Sequence, residues 1–274
     1  MPHKRLDKQK VYFFTGKGGV GKSLLALSKA LYLAENKGST LYVELAGSQE
    51  PFEEEQLLKH KDISYYYLDP LEELKLLFEH YFKSKKVAHF FFENKIMKTL
   101  VGAAPGLKEL AILGKLTSKN RDFGPSFDQS HIVVDGYSTG HFLNLLSVPI
   151  GLSEVIKKGP MGQQTKGITL AIKNNVETNY YVVVSADETP LNEGLELAKK
   201  IKELTGVSPK FIFNKYLDLK KPYSSYCQNK ISNQKKMIKK MKDKDYKRAN
   251  YTFLSSLLGR ASELSRIWLS LIHI

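Results

Sequence analysis

The feature that most constrains this chain is the junction at residues 11–23. An apolar, aromatic run (Val11-Tyr12-Phe13-Phe14) enters a glycine-rich turn, and leucines at helical spacing (Leu24, Leu25, Leu27, Leu31) follow at once. The turn from Gly16 to Ser23 fits G-x-x-x-x-G-K-[ST], in the strand–loop–helix setting that motif requires. Glycines let backbone N–H groups converge on phosphate oxygens, and the following helix aims its positive end at them. The lysine at position 22 can reach β- and γ-phosphates, and the Ser23 hydroxyl can ligate magnesium. Residues Gly16, Lys17, Gly18, Gly19, Val20, Gly21, Lys22, Ser23 and Leu24 are therefore the expected nucleotide-binding segment, with a nucleoside triphosphate and Mg2+ as its ligands.

Length and composition agree with one large soluble α/β domain: 274 residues, 42% apolar and 26% charged. The sole cysteine, Cys227, excludes an internal disulfide and a cysteine-built zinc site. The basic N-terminus is followed by too short an apolar run for a signal peptide or membrane span. The expectation is a cytoplasmic protein without an integral membrane segment. Net charge is +14, and residues 215–248 hold 12 Lys/Arg against three Asp. That concentration suits either an acidic partner or a solvated helical face.

Beyond the loop, the helix is expected to run to about Glu35 and end near Gly38, with a buried strand at Leu41–Ala46. A β–α–β opening implies a parallel, doubly wound sheet with ligands at the carboxyl ends of its strands. The Asp69-Pro70-Leu71-Glu72 stretch combines a cap, a proline and an acid in helix-starting order, and Leu71, Leu74, Phe78 and Tyr81 continue it. A helical insertion is thus expected over about 69–120, broken at Ala104-Pro105-Gly106. Further strands are expected at Asp128–Asp135, Tyr180–Ser185 and Phe211–Phe213, with a helix from Thr189-Pro190 to Gly206. Residues 230–248 read as a weakly amphipathic basic helix and Leu254–Ile274 as another amphipathic segment. The whole, 1–274, is read as a single domain whose C-terminal region, about 218–274, is basic and helical.

A triphosphatase also needs an acid at the end of a neighbouring strand to organise magnesium and water. Asp135, closing Ile132-Val133-Val134, fits, so Ser23 and Asp135 are the expected metal ligands. His141 lacks a second histidine at ligand spacing, which favours a loop or packing role over metal binding. Glu44 lies two residues before the end of the second strand and projects to the same side as position 46.

Several of these stretches resemble one family. The spelling Lys17-Gly18-Gly19-Val20-Gly21-Lys22-Ser23 is similar to the deviant Walker A group of ATPases. That group comprises the arsenite-pump ATPase (ArsA), the tail-anchored-protein targeting ATPase, MinD and ParA, and the nitrogenase iron protein. The segment Asp135-Gly136-Tyr137-Ser138-Thr139-Gly140-His141, followed by Leu145-Leu146-Ser147-Val148-Pro149, resembles the switch II of the arsenite-pump branch. Residues 103–115 and 182–192 look like further parts of it, and the likeness covers roughly 10–217. It implies a P-loop NTPase fold with a helical insertion. It also implies that Lys17 reaches the nucleotide of a dimer partner, although a solvated loop charge is the alternative. Asn214 sits where the family holds adenine, a position that equally suits a strand-end turn residue. Guanine reading is not evident, since Asn214-Lys215-Tyr216-Leu217 lacks the aspartate of N-K-x-D.

One departure stands out. The family's switch I aspartate is replaced by Ala46, leaving Glu44 as a candidate substitute some 6–7 Å further back along the strand. Lys17, Lys22, Glu44 and Asp135 are thus the candidate catalytic residues. Three readings follow: a slow, magnesium-dependent ATPase working as a nucleotide-gated dimer; a non-hydrolysing nucleotide-binding subunit paired with a paralogous ATPase; or a ParA/MinD-like ATPase. The expected partners are a second copy or a paralogue, with a protein client or an anionic surface, DNA or membrane, engaged through residues 230–248.

Overall fold

A computed structural model of the chain describes residues 8–47, 63–82, 84, 86, 106–185, 187–215, 224–239 and 246–248. Strand β1 (Lys10–Thr15) leads through the glycine turn into helix α1 (Lys22–Lys37), which stops at Gly38 and returns as β2 (Thr40–Leu45). Next come β3 (Ile63–Leu68) and α2 (Pro70–Phe82), then α3 (Leu107–Leu116) and the single turn α4 (Ser118–Arg121). Strand β4 (His131–Asp135) is followed by α5 (Thr139–Val155) and α6 (Gly159–Lys173). The chain continues through β5 (Thr178–Ser185), α7 (Glu188–Thr205), β6 (Lys210–Asn214), α8 (Ser225–Lys239) and β7 (Tyr246–Arg248).

The seven described strands form one sheet in the order β3-β2-β4-β1-β5-β6-β7, and every pairing is parallel. After β1 the chain builds the sheet on one side, fills in β4 beside β1, then crosses to β5 on the other side. The carboxyl end of β1 is therefore the point where winding reverses, the place where open α/β sheets bind ligands.

Side-chain alternation divides the core into two layers. Val11, Phe13, Val43, Val134, Val182 and Phe213 face α3, α5, α6 and α7. Tyr12, Phe14, Tyr42, Val133, Tyr181 and Ile212 face α1. Because both faces are covered, the central strands β1, β4, β5 and β6 are largely apolar rather than alternating. Aromatic pairs tie β1 to β5 on both faces: Phe13 stacks with Tyr180 at 5.7 Å and Phe14 with Tyr181 at 4.8 Å. Each fully buried side chain of this size contributes about 1.5–3 kcal/mol.

Local chemistry sets the element ends. The Asp69 carboxylate accepts from the Leu71 and Glu72 amides at 2.7 and 3.3 Å, so α2 starts at Pro70 as the sequence predicts. Gly106 (φ 93°) precedes α3, and Gly206 (φ 77°) closes α7. One expectation changes. The basic stretch 230–248 is not one helix: α8 ends at Lys239, and residues 246–248 pair with Phe211–Phe213 as β7. The structure also adds a strand that no sequence expectation covers, β3, paired beside β2. Residues Ala103–Pro105, 218–223 and 254–274 lie outside the described set.

Candidate functional site

The glycine turn leaves β1 at its carboxyl end, between β4 and β5. Gly16 (φ 147°) packs so closely that an added Cβ would overlap the Val183 carbonyl oxygen of β5. Gly21 (φ 93°) precedes α1, and a Cβ there would overlap the Asn214 amide. By contrast, a Cβ on Gly18 or Gly19 would meet nothing within 4 Å, so that side of the turn is open. No side chain caps α1 and no acid lies in its first turn. Its N–H groups and positive dipole end are thus left for an external anion.

Below the turn, Lys22 donates to the Lys17 carbonyl at 3.3 Å. Burial pushes the Lys22 ammonium below its usual pKa, while the Asp135 charge pulls it back up. Asp135 ends β4, is 4% exposed, and is pushed up to about 6. Burial is the main cause; the nearby Ser23 hydroxyl, the Lys22 charge and the Tyr42 hydroxyl lower it, and the Glu44 charge raises it. The Tyr42 hydroxyl donates to Asp135 Oδ2 at 3.4 Å, whereas the buried Oδ1 has no hydrogen-bond partner. An unmet carboxylate oxygen beside a serine hydroxyl is the donor set of a hard cation such as Mg2+, so the residues present fit that ion.

Glu44 is buried and lies directly across from Asp135 in the β2–β4 register. Its carboxylate accepts from the Tyr65 hydroxyl of β3 at 2.9 Å. Ala46 follows β2, and its carbonyl accepts from the Tyr137 hydroxyl at 3.2 Å. The Tyr137 carbonyl in turn accepts from Thr15 at 2.9 Å. Tyr137 therefore links the ends of β1, β2 and β4. His141 is exposed, with its ring 6.2 Å from that of Tyr137.

The remaining expected residues gather on the other flank. The Asn214 amide donates to the Val20 carbonyl at 2.8 Å, and its buried Oδ1 has no partner. Leu24 is buried against the α1 face of the sheet. Lys17 forms an ion pair with Glu193 of α7 at 2.7 Å, both side chains being about two-fifths exposed. Sequence reasoning missed Tyr42, Tyr65, Tyr137 and Lys215, whose ammonium donates to the Gly19 carbonyl at 2.7 Å. No spacing rule could have found them, because each contact joins separate elements. A tyrosine-rich pair of adjacent strands was the available hint.

Comparison with known proteins agrees with this geometry. Residues 9–161, more than half of the chain, match the family of anion-transporting ATPases (ArsA ATPase). ATPase BagA of Mycobacterium tuberculosis is 26% identical over 224 residues, covering 73% of this chain and 63% of the relative. An ATPase ASNA1 homolog of Cryptosporidium parvum is 29% identical over 203 residues, covering 72% of this chain and 52% of the relative. The chain thus spans between half and two-thirds of the length of these curated relatives. With the glycine turn at the reversal point of a parallel sheet and an acid at the end of the adjacent strand, the match has a physical basis: the chain belongs to the ArsA-type anion-transporting ATPase family.

Proposed function

We propose that the protein is a magnesium-dependent ATP-binding protein of the cytoplasm that hydrolyses ATP slowly and works as a nucleotide-gated dimer. The observation that carries this reading is the convergence of Lys22, Ser23 and Asp135 beneath an open glycine turn, with one buried carboxylate oxygen unmet. Backbone N–H groups of the turn and the Lys22 ammonium hold the phosphate chain. Ser23 and Asp135 would hold Mg2+, which when bound neutralises charge on the β- and γ-oxygens. Asn214 offers its unmet Oδ1 to a donor, which suits the exocyclic amino group of adenine. Lys17, paired only by an exposed contact, can leave Glu193 to stabilise phosphate charge across a dimer.

Single-turnover measurement with the purified chain tests this reading. ATP cleavage, slow and magnesium-dependent, is the expected result, with loss of at least about tenfold in Lys22→Ala. Absence of cleavage in every oligomeric context would sink the hydrolytic part.

A second reading, a nucleotide-binding subunit that relies on an active paralogue, is favoured by Ala46. Among the described residues near the end of β2, the carboxylate is Glu44, one strand residue pair further from the end and already bonded by Tyr65. Loss of a water-positioning group slows cleavage by orders of magnitude without removing binding. If only that group is missing, Ala46→Asp accelerates turnover markedly. If Glu44 substitutes for it, Glu44→Gln abolishes turnover and Ala46→Asp changes little.

A further inference from the structure

Lys215, just past the end of β6, is one of two non-glycine residues with positive φ among those described, at 55°. The other, Asp122, caps the short α4, where such a backbone is ordinary. Left-handed backbone is unfavourable for a long L side chain, so it persists only where neighbours enforce it. Here the enforcing contacts are visible. Gln234 of α8, 2% exposed, donates to the Lys215 carbonyl at 3.4 Å. On the other side the Lys215 ammonium reaches the Gly19 carbonyl at 2.7 Å, while the adjacent Asn214 amide takes the Val20 carbonyl at 2.8 Å.

Two consecutive carbonyls of the phosphate loop are therefore gripped from outside. A trans peptide unit is planar, and its C=O and N–H point in opposite directions. Gripping the Gly19 carbonyl fixes where the Val20 N–H points, and gripping the Val20 carbonyl does the same for the Gly21 N–H. Both amides are turned away from the clamp. A loop of glycines has the largest conformational entropy to lose on binding, so presetting its peptide planes reduces that loss.

We propose that Lys215 is a positioning residue of the phosphate site, acting through the Gly19 and Val20 peptide planes to preset backbone N–H donors for a polyphosphate chain. The inference rests on the nucleotide-binding reading above. Its effect falls on the phosphates rather than on the base, which separates it from a role in adenine recognition.

Isothermal titration of the full chain with MgATP, and competition by magnesium tripolyphosphate, tests it in the parent, Lys215→Gly, Lys215→Met and Lys215→Arg. The glycine and methionine variants are expected to bind both ligands roughly five- to tenfold more weakly, and arginine, which keeps a donor, to retain most of the affinity. Melting of Lys215→Gly is expected at or above the parent temperature, since glycine relieves the left-handed strain. A residue with a merely structural role would lower the melting point and leave affinity unchanged. Unchanged affinity for both ligands, loss for ATP alone, or failure of tripolyphosphate to compete in the parent would each overturn the proposal. Failure of the parent to bind ATP would instead overturn the nucleotide-binding reading.

Discussion

Asp135 is the residue in which folding and chemistry are most opposed. Its carboxyl is pushed up to about 6 by burial, against an ordinary value of 3.8. Because the folded value lies above the unfolded one, the stability it permits is fully present below about pH 4. That stability is lost as pH rises through about 6. Two pKa units correspond to about 3 kcal/mol. In metal-free protein, Asp135→Asn is therefore expected to raise stability at pH 7–8 by up to about 3 kcal/mol and to flatten the pH 4–6 portion of the profile. Thermal melts across pH, with chelator present, check both. The same substitution is expected to remove magnesium-dependent turnover, since it removes the charge that the unmet Oδ1 holds ready. Burying an acid for a cation costs stability in the cation's absence.

Among the elements, α7 shows how packing serves the site. It seats on β5 through Gly194, where an added Cβ would overlap Val184 Cγ1. Glycine normally weakens a helix interior by about 1 kcal/mol relative to alanine. Here the close approach offsets that, and Gly194→Ala is expected to destabilise by about 1–3 kcal/mol, readable as a lower denaturation midpoint with an unchanged m-value. The shift would also move Glu193, the partner of Lys17, on the same helix. Strands differ in how readable they were. Runs such as Ile132–Val134 and Tyr180–Val184 are apolar on both faces and announce buried parallel strands. Strand β3 reads Ile-Ser-Tyr-Tyr-Tyr-Leu with only its ends buried, which is the mixed pattern of an edge. Strand β7, Tyr-Lys-Arg, carries no apolar signal at all and exists through its pairing with β6.

For the whole molecule, the Lys17–Glu193 contact bears on assembly. An ion pair this exposed contributes about 0–1 kcal/mol and cannot hold Lys17 against a better partner. If Lys17 acts across a dimer, Lys17→Ala is expected to keep ATP binding but lose ATP-dependent dimerisation, read by light scattering with and without nucleotide. A variant that dimerises like the parent would assign Lys17 to the loop surface. The basic surface also takes a different shape from the one expected. Helix α8 carries Lys230, Lys235, Lys236 and Lys239 with no acidic residue, but the charges at 247 and 248 belong to a strand of the sheet. Among the described residues the basic charge is therefore split between a helix and a strand, and the helix is the element whose Gln234 contacts Lys215.

The amino-acid sequence alone specified the glycine turn of residues 16–21, the strand-ending Asp135 and the parallel α/β layout. These are local facts: glycine positions, apolar runs and turn residues act within a few neighbours. Tertiary structure decided which side chains complete the site. Tyr42, Tyr65, Tyr137 and Lys215 reach their partners across 93, 21, 91 and 196 residues of chain. Such contacts exist only once the order β3-β2-β4-β1-β5-β6 is set, because strand order, and not spacing along the chain, brings those side chains to one end of the sheet.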